Sequence, residues 1–491
     1  MSLARFSCLV DGELVETAET FESIDPSTGR PWALMPAASE ADTDRAVRAA
    51  HRALSDPSWA NLTPTQRGKL LHRLGDLVAE HTGKLAELET RDTGKIIRET
   101  RAQIGYVAEF YRYFGGLADK VEGAHLPIDK ADVEVYLRSE PIGVVAAIVP
   151  WNSQLFLSAV KLGPALAAGC TIVLKASEDG PAPLLEFAKL VEKAGFPRGV
   201  VNVVTGLGQT CGKALTSHPL VARVAFTGGP STARQIVHNT AENLAFTSLE
   251  LGGKSPVIVF DDADLDSAAN AIVAGIFAAS GQSCVAGSRL YVERPIHDTL
   301  VSILVQKARA IRIGDPQDPA TEMGPLATGR QRSHIETVLG QSLAAGARLL
   351  TGGRVPANRM DGFYFEPTIV ACDNNQVPCV SEELFGPVLS VMPFDGEEEA
   401  IAKANDTRYG LAAGVFTRDL ARAHRMIRRI RAGIVWVNTY RAVSPIVPFG
   451  GFGLSGLGRE GGAASIRDYT RSKAVWIRTS DDPIADPFVM R

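Results

Sequence analysis

The sequence predicts an α/β protein built around parallel sheets. Over most of the 491 residues, short apolar runs rich in β-branched residues alternate with helical segments of about ten to fifteen residues, the pattern of βαβ units. The run 143–149 (GVVAAIV) is continuously apolar, as expected of a strand that is buried on both faces. At roughly one to two hundred residues per domain, the length is enough for two or three domains.

The pattern is clearest between residues 143 and 226. The predicted strands there are 143–149, 171–174, 200–204 and 221–226, and the predicted helices between them are 155–168, 183–194 and 208–217. Prolines mark the start of the second helix, and Gly195-Phe196-Pro197 marks its end. The strands therefore alternate with helices, which predicts βαβ units and a parallel sheet.

The second half repeats this alternation, and we place the boundary between two αβ domains near Leu249–Lys254. The predicted strands are 256–260, 289–292, 347–350, 388–393, 413–416 and 434–438, and the predicted helices are 265–279, 296–310 and 397–405. The segments 130–140 and 474–478 lie outside the βαβ pattern. We expect these two segments to pair with each other as a small arm.

Composition narrows the possible partners. The formal net charge is −4, which argues against nucleic acid as the main partner. The longest apolar run, 142–149, is far shorter than the ~20 residues of a membrane span, and the first residues show no signal peptide. We therefore expect a soluble cytoplasmic protein. The basic segment 422–431 has helical spacing, which favours a solvated helix face or a subunit contact over an anion site.

The six cysteines are scattered, without a CxxC pair or a cluster with histidines at metal-binding spacing. This pattern predicts no disulfide framework, no metal site and a reducing compartment. Cys284 is the candidate nucleophile, because its small neighbours (GQSCVAG) allow a substrate to approach the sulfur. A helix N-terminus or a cation nearby would lower its pKa. The alternative is an ordinary buried cysteine, which is the interpretation we give to the other five.

Two further side chains suit catalysis. Glu250 stands in an apolar segment beside two glycines, and an apolar setting raises the pKa of a carboxyl group toward that of a general base. The alternative is an ion pair with Lys254. Asn152 follows the strand 143–149, where its amide could donate to a developing oxyanion. The alternative is an N-cap of the next helix.

Each sequence motif that suggests nucleotide binding is weak on its own. The segment 226–231 (FTGGPS) is a strand end followed by a glycine turn, which presents backbone amides to a phosphate but lacks the GxGxxG pattern. Lys175 and Glu178 follow the strand 171–174 and could reach the hydroxyls of a ribose. Taken alone, both would be surface charges.

The order of these motifs along the chain is far more specific than any one of them. Further motifs join them: Pro150-Trp151-Asn152, Lys175-Ala176-Ser177-Glu178, Glu250-Leu251-Gly252-Gly253-Lys254, Gly281-Gln282-Ser283-Cys284, Glu382-Glu383-Leu384-Phe385-Gly386-Pro387, Pro448-Phe449-Gly450-Gly451 and Ser455-Gly456-Leu457-Gly458-Arg459-Glu460. In this order the chain resembles the aldehyde dehydrogenase superfamily, of the NAD(P)-dependent, hydrolytic type. The resemblance extends over almost the whole chain.

The resemblance implies a role for each matching catalytic residue. Cys284 matches the nucleophile and Glu250 the general base. Asn152, together with the backbone N–H of Cys284, matches the oxyanion-binding pair. Lys161 and Glu460 match a proton-relay pair that assists Glu250.

The resemblance also implies a set of cofactor-binding residues: Pro150, Trp151, Lys175, Ser177, Glu178, Thr227, Gly228, Gly229, Glu383 and Phe385. Among them, Lys175 and Glu178 match the residues that hold the adenosine ribose. Glu383 matches the residue that holds the nicotinamide ribose. Glu178 favours NAD over NADP, because a carboxylate accepts a hydrogen bond from a free 2′-hydroxyl and repels a 2′-phosphate.

The fold that the resemblance implies has a five-stranded variant Rossmann domain, an αβ catalytic domain and a β-strand oligomerisation arm. We divide the chain accordingly into residues 1–118 and 141–251 (NAD-binding domain), 119–140 (first part of the arm), 252–452 (catalytic domain) and 453–491 (C-terminal return and remainder of the arm). The arm implies a homodimer or a homotetramer.

Four positions depart from the family pattern. Ala176 replaces a proline, and Ala233 replaces the second glycine of the cofactor turn, which also contains Pro230. Ser153-Gln154 replaces a segment that usually includes an aromatic residue and a proline, and Val160 replaces a frequent tryptophan. The last two changes suggest a roomier and more polar substrate entrance.

By resemblance, the substrate pocket would be lined by Phe110, Leu157, Val160, Ser283, Val285, Tyr440, Arg441 and Val443. Neither Arg441 nor Gln154 suits a purely aliphatic pocket, so we hypothesise that one of them binds a polar group of the aldehyde. The alternative is that Arg441 pairs with an acid away from the pocket.

The predicted reaction is the NAD-dependent oxidation of an aldehyde to a carboxylic acid through a thiohemiacetal and a thioester on Cys284. An alternative passes the thioester to coenzyme A, although family members of that type lack the carboxylate at the Glu250 position. A non-catalytic binding protein on this fold is an alternative of another class. A thiol hydrolase would use Cys284 and Glu250 but would leave the ribose-binding residues unexplained.

Overall fold

The strands and helices come from a computed structural model that describes residues 3–358 and 361–489. In chain order its strands are β1 Ala4–Arg5, β2 Cys8–Val10, β3 Glu13–Val15, β4 Glu19–Asp25, β5 Arg30–Ala37, β6 Ala124–Leu126, β7 Val133–Pro141, β8 Val144–Ile148, β9 Thr171–Ala176, β10 Val201–Thr205, β11 Val221–Thr227, β12 Phe246–Glu250, β13 Pro256–Val259, β14 Arg289–Glu293, β15 Arg348–Thr351, β16 Thr368–Ala371, β17 Val388–Phe394, β18 Ala412–Phe416, β19 Ile434–Val437, β20 Gly456–Leu457 and β21 Thr470–Arg478.

Its α-helices are α1 Glu40–Ser55, α2 Pro57–Ala60, α3 Pro64–Glu80, α4 Thr82–Thr93, α5 Ile97–Leu117, α6 Gln154–Ala168, α7 Ala182–Ala194, α8 Lys213–Thr216, α9 Pro230–Thr240, α10 Leu265–Phe277, α11 His297–Ala310, α12 Gly329–Ala344, α13 Pro378–Ser381, α14 Gly396–Asn405 and α15 Leu420–Arg429. None of the described helices is long and apolar enough to cross a membrane.

An eight-stranded sheet carries most of the candidate site residues. Its order is β20-β12-β11-β8-β9-β10-β2-β3, and the five central strands β12 to β10 are parallel. Short antiparallel strands extend both edges: β20 pairs with β12, and β2 pairs with β10. Every residue of β8, β9 and β10 is buried, as their continuous apolar sequences predict.

A second, seven-stranded sheet follows along the chain, in the order β15-β16-β17-β14-β13-β18-β19. All of its neighbours are parallel except β15 and β16. In chain order, β12 of the first sheet ends at Glu250, and the next strand, β13 of the second sheet, begins at Pro256. The segment between them crosses from one sheet to the other and carries Gly252 and Gly253.

The predicted arm is present. β21 pairs with β7 in antiparallel register from Thr470↔Pro141 to Arg478↔Val133, and β6 pairs with the other edge of β7. On this arm Trp476 and Ile477 are exposed.

Two predicted helices differ from the structure. The segment 208–217 begins as a π-helical turn, Gly208–Gly212, and continues as the short helix α8. The helix predicted to reach Ala279 ends at Phe277, because Ala279 and Ser280 adopt left-handed backbone with φ of 52° and 53°. That turn redirects the chain from α10 into the loop that carries Cys284.

The basic segment forms α15 and is neutralised by acidic neighbours. Arg425 donates to Glu397 at 2.8 Å, and Arg429 donates to Glu398 at 2.7 Å. Both acids lie in the first turn of α14. The segment is therefore an ion-paired helix face.

Candidate active site

The predicted catalytic and cofactor residues converge at the carboxyl edge of the eight-stranded sheet. Pro150, Trp151 and Asn152 come directly after β8 and the loop residue Val149, and Ser177 follows β9. Thr227 ends β11, and Glu250 ends β12. Since parallel strands expose their carboxyl ends at one edge, residues far apart in sequence meet there.

A cleft of about 240 Å³ lies at this edge. Seven of the ten predicted cofactor residues line it: Pro150, Trp151, Thr227, Gly228, Gly229, Glu383 and Phe385. The rings of Trp151 and Phe385 meet edge to face with centroids 5.4 Å apart. The remaining three predicted residues (Lys175, Ser177 and Glu178) do not line this cleft and lie at the end of β9.

Lys175 and Glu178 form a pair, and neither is a free surface charge. Lys175 is buried, and its Nζ donates to Glu178 Oε2 at 3.3 Å. Burial disfavours the ionised form of Glu178, but the charge of Lys175 and backbone hydrogen bonds hold its pKa below the ordinary value. Glu178 is therefore ionised at neutral pH.

Glu383 is fixed by the glycine pair that follows Glu250. The backbone N–H of Gly253 donates to Glu383 Oε1 at 3.0 Å. A Cβ on Gly252 would lie 1.7 Å from Glu383 Oε2, so only glycine fits there. Burial raises the pKa of Glu383 to about 7, against the opposing effects of Gly253 and Lys254. The two glycines that follow Glu250 in the sequence therefore make room for Glu383 and donate to it.

A second cavity of about 470 Å³ adjoins the cleft. Seven of the eight predicted pocket residues line it: Phe110, Leu157, Val160, Ser283, Val285, Arg441 and Val443. Tyr440 does not line the cavity, because its hydroxyl points back and donates to Val285 O at 2.9 Å. Gln154 is buried and does not line it either, so the hypothesis that Gln154 binds the substrate is wrong.

Cys284 lies where the two cavities meet. Six residues line both of them: Asn152, Leu157, Thr227, Glu250, Leu251 and Cys284. Burial raises the pKa of Cys284 to about 12, and the charges of Glu383 and Glu250 add to this rise. The charge of Arg441 lowers the pKa of Cys284. The other five cysteines are buried and form no disulfide, as predicted.

Glu250 has the environment of a general base. It is buried, it lines both cavities, and neither of its carboxylate oxygens has a hydrogen-bond partner among the described residues. Burial raises its pKa well above the ordinary value, and the nearby charge of Glu460 adds to this effect. Lys254 makes no ion pair with it in the described part of the chain, so the ion-pair alternative is not supported.

Lys161 and Glu460 form a buried pair behind Glu250. The Lys161 ammonium, on α6, donates to Glu460 Oε1 and to Thr227 Oγ1, the latter at 2.8 Å. The charge of Lys161 lowers the pKa of Glu250, while Glu460 raises it. These three ionisable groups therefore form one coupled cluster that reaches the cavity at Glu250 and Glu460.

Asn152 is oriented by the loop that carries Cys284. Its Nδ2 donates to Gln282 O at 2.9 Å, which leaves one amide N–H unused. Asn152 does not cap α6, since Ser153 occupies the N-cap position and makes no side-chain cap. The backbone N–H of Cys284 donates to no described residue, so two donors remain available beside the sulfur.

Sequence analysis missed two parts of the site. Gln331, on α12, lines the cleft, and its Nε2 donates to the carbonyl oxygens of Leu384 and Phe385. Ser153 lines the substrate cavity and accepts a hydrogen bond from the buried Lys95 at 3.2 Å. The departure at Ser153 was visible in the sequence, but its partner Lys95 is 58 residues away.

The comparisons with known proteins agree with this architecture. A family model described as the aldehyde dehydrogenase family matches residues 14–475. The (Z)-2-((N-methylformamido)methylene)-5-hydroxybutyrolactone dehydrogenase of Acinetobacter baylyi is 59% identical over 490 residues, with both chains covered completely.

Solved structures match equally well. An NAD⁺ complex of an aldehyde dehydrogenase from Bacillus cereus is 40% identical, with a TM-score of 0.95 and 97% of each chain covered. Betaine aldehyde dehydrogenase from Staphylococcus aureus, also in complex with NAD⁺, is 37% identical, with a TM-score of 0.96 over 99% of this chain and 96% of that one. The chain therefore belongs to the aldehyde dehydrogenase family and is an oxidoreductase that acts on aldehydes.

Proposed function

We propose that this protein oxidises an aldehyde to a carboxylic acid with NAD, using Cys284 as the nucleophile and Glu250 as the general base. The observation that carries the proposal is the position of both side chains at the junction of the two cavities. One cavity then holds the cofactor and the other the aldehyde. The overall reaction consumes the aldehyde, NAD⁺ and water, and yields the carboxylate, NADH and two protons.

The residues at the cleft fit a nicotinamide dinucleotide. A Cβ built on Gly229 meets no atom within 4 Å, so the glycine turn is open to a phosphate. Lys175 and Glu178 are suited to ribose hydroxyls, and Glu383 would hold the second ribose. The ionised Glu178 favours NAD over NADP. Relatives of known structure bind NAD⁺, which supports the same choice.

The chemistry of the chain's own residues follows from their environments. Glu250 takes the proton of the Cys284 thiol, whose sulfur then adds to the aldehyde carbon. Asn152 and the Cys284 N–H donate to the oxyanion, and one such donor is typically worth about 3–4 kcal/mol. Bound NAD⁺ supplies the two-electron acceptor for the hydride. Glu250 then removes a proton from the water that hydrolyses the thioester. The opposite charges of Lys161 and Glu460 act on the carboxylate of Glu250 during this step.

We further propose that the substrate is a 4-oxo carboxylic acid. The Acinetobacter relative is named for a 5-hydroxybutyrolactone, and such a lactone is the ring-closed form of a 4-oxo acid. Ring opening exposes the aldehyde that a cysteine can attack. The identity of 59% over the full length of both chains supports a substrate of this class.

Transfer of the thioester to coenzyme A is disfavoured because Glu250 is positioned to activate water. The test is NADH formation from NAD and a panel of aldehydes, with Cys284→Ala and Glu250→Gln as variants. We expect Cys284→Ala to form no NADH. We expect Glu250→Gln to form NADH slowly and to at most one equivalent per active site, because both the thiol and the hydrolytic water lose their base. Full steady-state turnover in either variant would contradict the assigned roles.

We also propose that the arm of β21, β7 and β6 joins subunits into a dimer or a tetramer. Trp476 and Ile477 leave large apolar surfaces exposed on this arm, with 60% and 44% of each residue accessible. The matched control for Trp476→Glu is a charge change at the exposed Arg428, remote from the arm. Light scattering should report a smaller assembly for Trp476→Glu alone, and an unchanged assembly would contradict the proposal.

A further inference from the structure

Arg441 stands in a loop that is anchored on both sides of it. The ring of the preceding Tyr440 fits against glycines, because a Cβ on Gly275 or Gly414 would lie within 2.9 Å of that ring. Its hydroxyl donates to Val285 O. On the other side, Trp436 Nε1 donates to Ala442 O at 3.0 Å. The backbone of Arg441 is therefore held in place before any ligand binds.

Arg441 itself adopts left-handed backbone, with φ of 64°. That conformation is unfavourable for a residue with a Cβ, and the anchored neighbours Tyr440 and Ala442 hold Arg441 in it. This conformation places Arg441 in the wall of the substrate cavity. Strain of this kind persists where the surrounding structure imposes it and is concentrated at ligand-binding positions.

The guanidinium of Arg441 retains most of its donors. One nitrogen donates to Ala274 O at 2.9 Å, and no carboxylate in the described part of the chain lies within ion-pair distance of it. Outside the cavity, the buried Glu99 feels the charge of Arg441, which lowers the pKa of Glu99 against the larger effect of burial. Glu99 accepts the backbone N–H of Ala279 at 2.9 Å. No hydrogen bond or ion pair joins it to Arg441 in the described part of the chain, so the alternative that Arg441 pairs with an acid away from the pocket is not supported by a contact.

Arg441 is also the one cationic side chain among the residues that line this cavity. Lys161 forms an ion pair with Glu460. Lys95 approaches the cavity from behind Ser153 but is paired with Glu89 at 2.7 Å. The two acids of the lining, Glu250 and Glu460, belong to the catalytic cluster. A carboxylate entering the cavity thus has one uncompensated positive partner.

We propose that Arg441 binds the carboxylate of the substrate and makes the enzyme specific for ring-opened 4-oxo acids. This proposal rests on the proposed function, since it assumes that the aldehyde end reaches Cys284. An arginine offers a carboxylate two parallel N–H donors, a geometry that a lysine or an amide does not reproduce. Because only the open form carries a carboxylate, Arg441 also selects the tautomer whose aldehyde is free for attack.

The test compares 4-oxobutanoate with its methyl ester, which has the same aldehyde and chain length but no charge. We expect Arg441→Gln to lower kcat/KM for the acid about 10- to 100-fold, the effect of losing hydrogen bonds to a charged group, and to change that for the ester less than about threefold. Retained ester oxidation shows that the variant is folded. Arg441→Lys should recover part of the loss.

Ser153→Ala is the matched control, because Ser153 also lines the cavity but carries no charge. We expect it to leave the acid-to-ester ratio unchanged. An equal ratio in the parent and in Arg441→Gln, or a loss in Ser153→Ala instead, would overturn the assignment. If the parent oxidised neither compound, or if Cys284→Ala were as active as the parent, the proposed function would fail rather than the assignment of Arg441.

Discussion

Cys284 should react only slowly with iodoacetamide in the protein free of cofactor and substrate, and the rate should rise about tenfold for each pH unit. Burial, Glu383 and Glu250 together raise its pKa to about 12. At pH 8 such a thiol is ionised to about one part in ten thousand, whereas an exposed cysteine with a pKa of about 8.5 is about one quarter ionised. We therefore expect alkylation at least about a thousandfold slower than that of an exposed cysteine.

The charged residues that shift the pKa of Cys284 provide matched variants for this experiment. Glu383→Gln removes the charge that contributes most to the rise after burial, so alkylation of Cys284 should accelerate. Arg441→Gln removes the charge that opposes the rise, so alkylation should slow further. Peptide mass spectrometry distinguishes alkylation of Cys284 from alkylation of the five buried cysteines. The Cys284→Ser variant gives the background alkylation.

A rapid rate that stays constant between about pH 6 and pH 9 would refute this reasoning, because it would mean that a thiolate already exists in the resting protein. Equal alkylation rates in the parent, in Glu383→Gln and in Arg441→Gln would show that burial alone controls the pKa of the Cys284 thiol. The predicted order of alkylation rates among the variants is therefore a separate test from the predicted rise of the rate with pH.

Three further predictions concern the cofactor and the buried charges. Gly252→Ala would place a Cβ 1.7 Å from Glu383 Oε2, so NAD affinity measured by fluorescence titration should fall about tenfold or more; unchanged affinity would contradict the role of Glu383. Glu178→Gln removes a carboxylate that repels a 2′-phosphate, so the ratio of kcat/KM for NADP to that for NAD should rise about tenfold, and a constant ratio would refute the NAD assignment. Lys161→Met leaves the buried Glu460 carboxylate without its partner and should cost about 3–5 kcal/mol in the free energy of unfolding. The double variant with Glu460→Gln should recover most of that loss in thermal melts, and a single variant as stable as the parent would argue against the pair.

The central strands could be predicted because their signal is local. The predicted strand 171–174 lies inside β9, and the predicted strand 221–226 lies inside β11. Such predominantly apolar segments are almost entirely buried, so their place in the interior of the sheet follows from their composition. The edges could not be predicted in this way. β20 has two residues and pairs with β12 about 200 residues earlier, and only the folded chain brings them together.

The identity of the catalytic residues was predictable, but their electrostatics were not. Order along the chain distinguished Cys284 from the other five cysteines. The size of its pKa shift, however, also depends on Glu383 and Arg441, which are about 100 and 157 residues away in sequence. A sequence window around a cysteine contains no information about such partners, and burial then decides the direction.

Ser153 belongs to the segment in which the family usually has an aromatic residue and a proline, and it adds a neutral hydroxyl to the cavity. Ser153 Oγ accepts from Lys95 at 3.2 Å and lies 2.7 Å from Asn152 O, to which it donates. An aromatic ring could not accept that hydrogen bond, and it would occupy space that the cavity now has. The charge of Lys95 does not reach the substrate uncompensated, because Glu89 holds it at 2.7 Å. Ser153 therefore contributes room and a neutral hydroxyl, and any discrimination between a carboxylate and its ester has to come from Arg441.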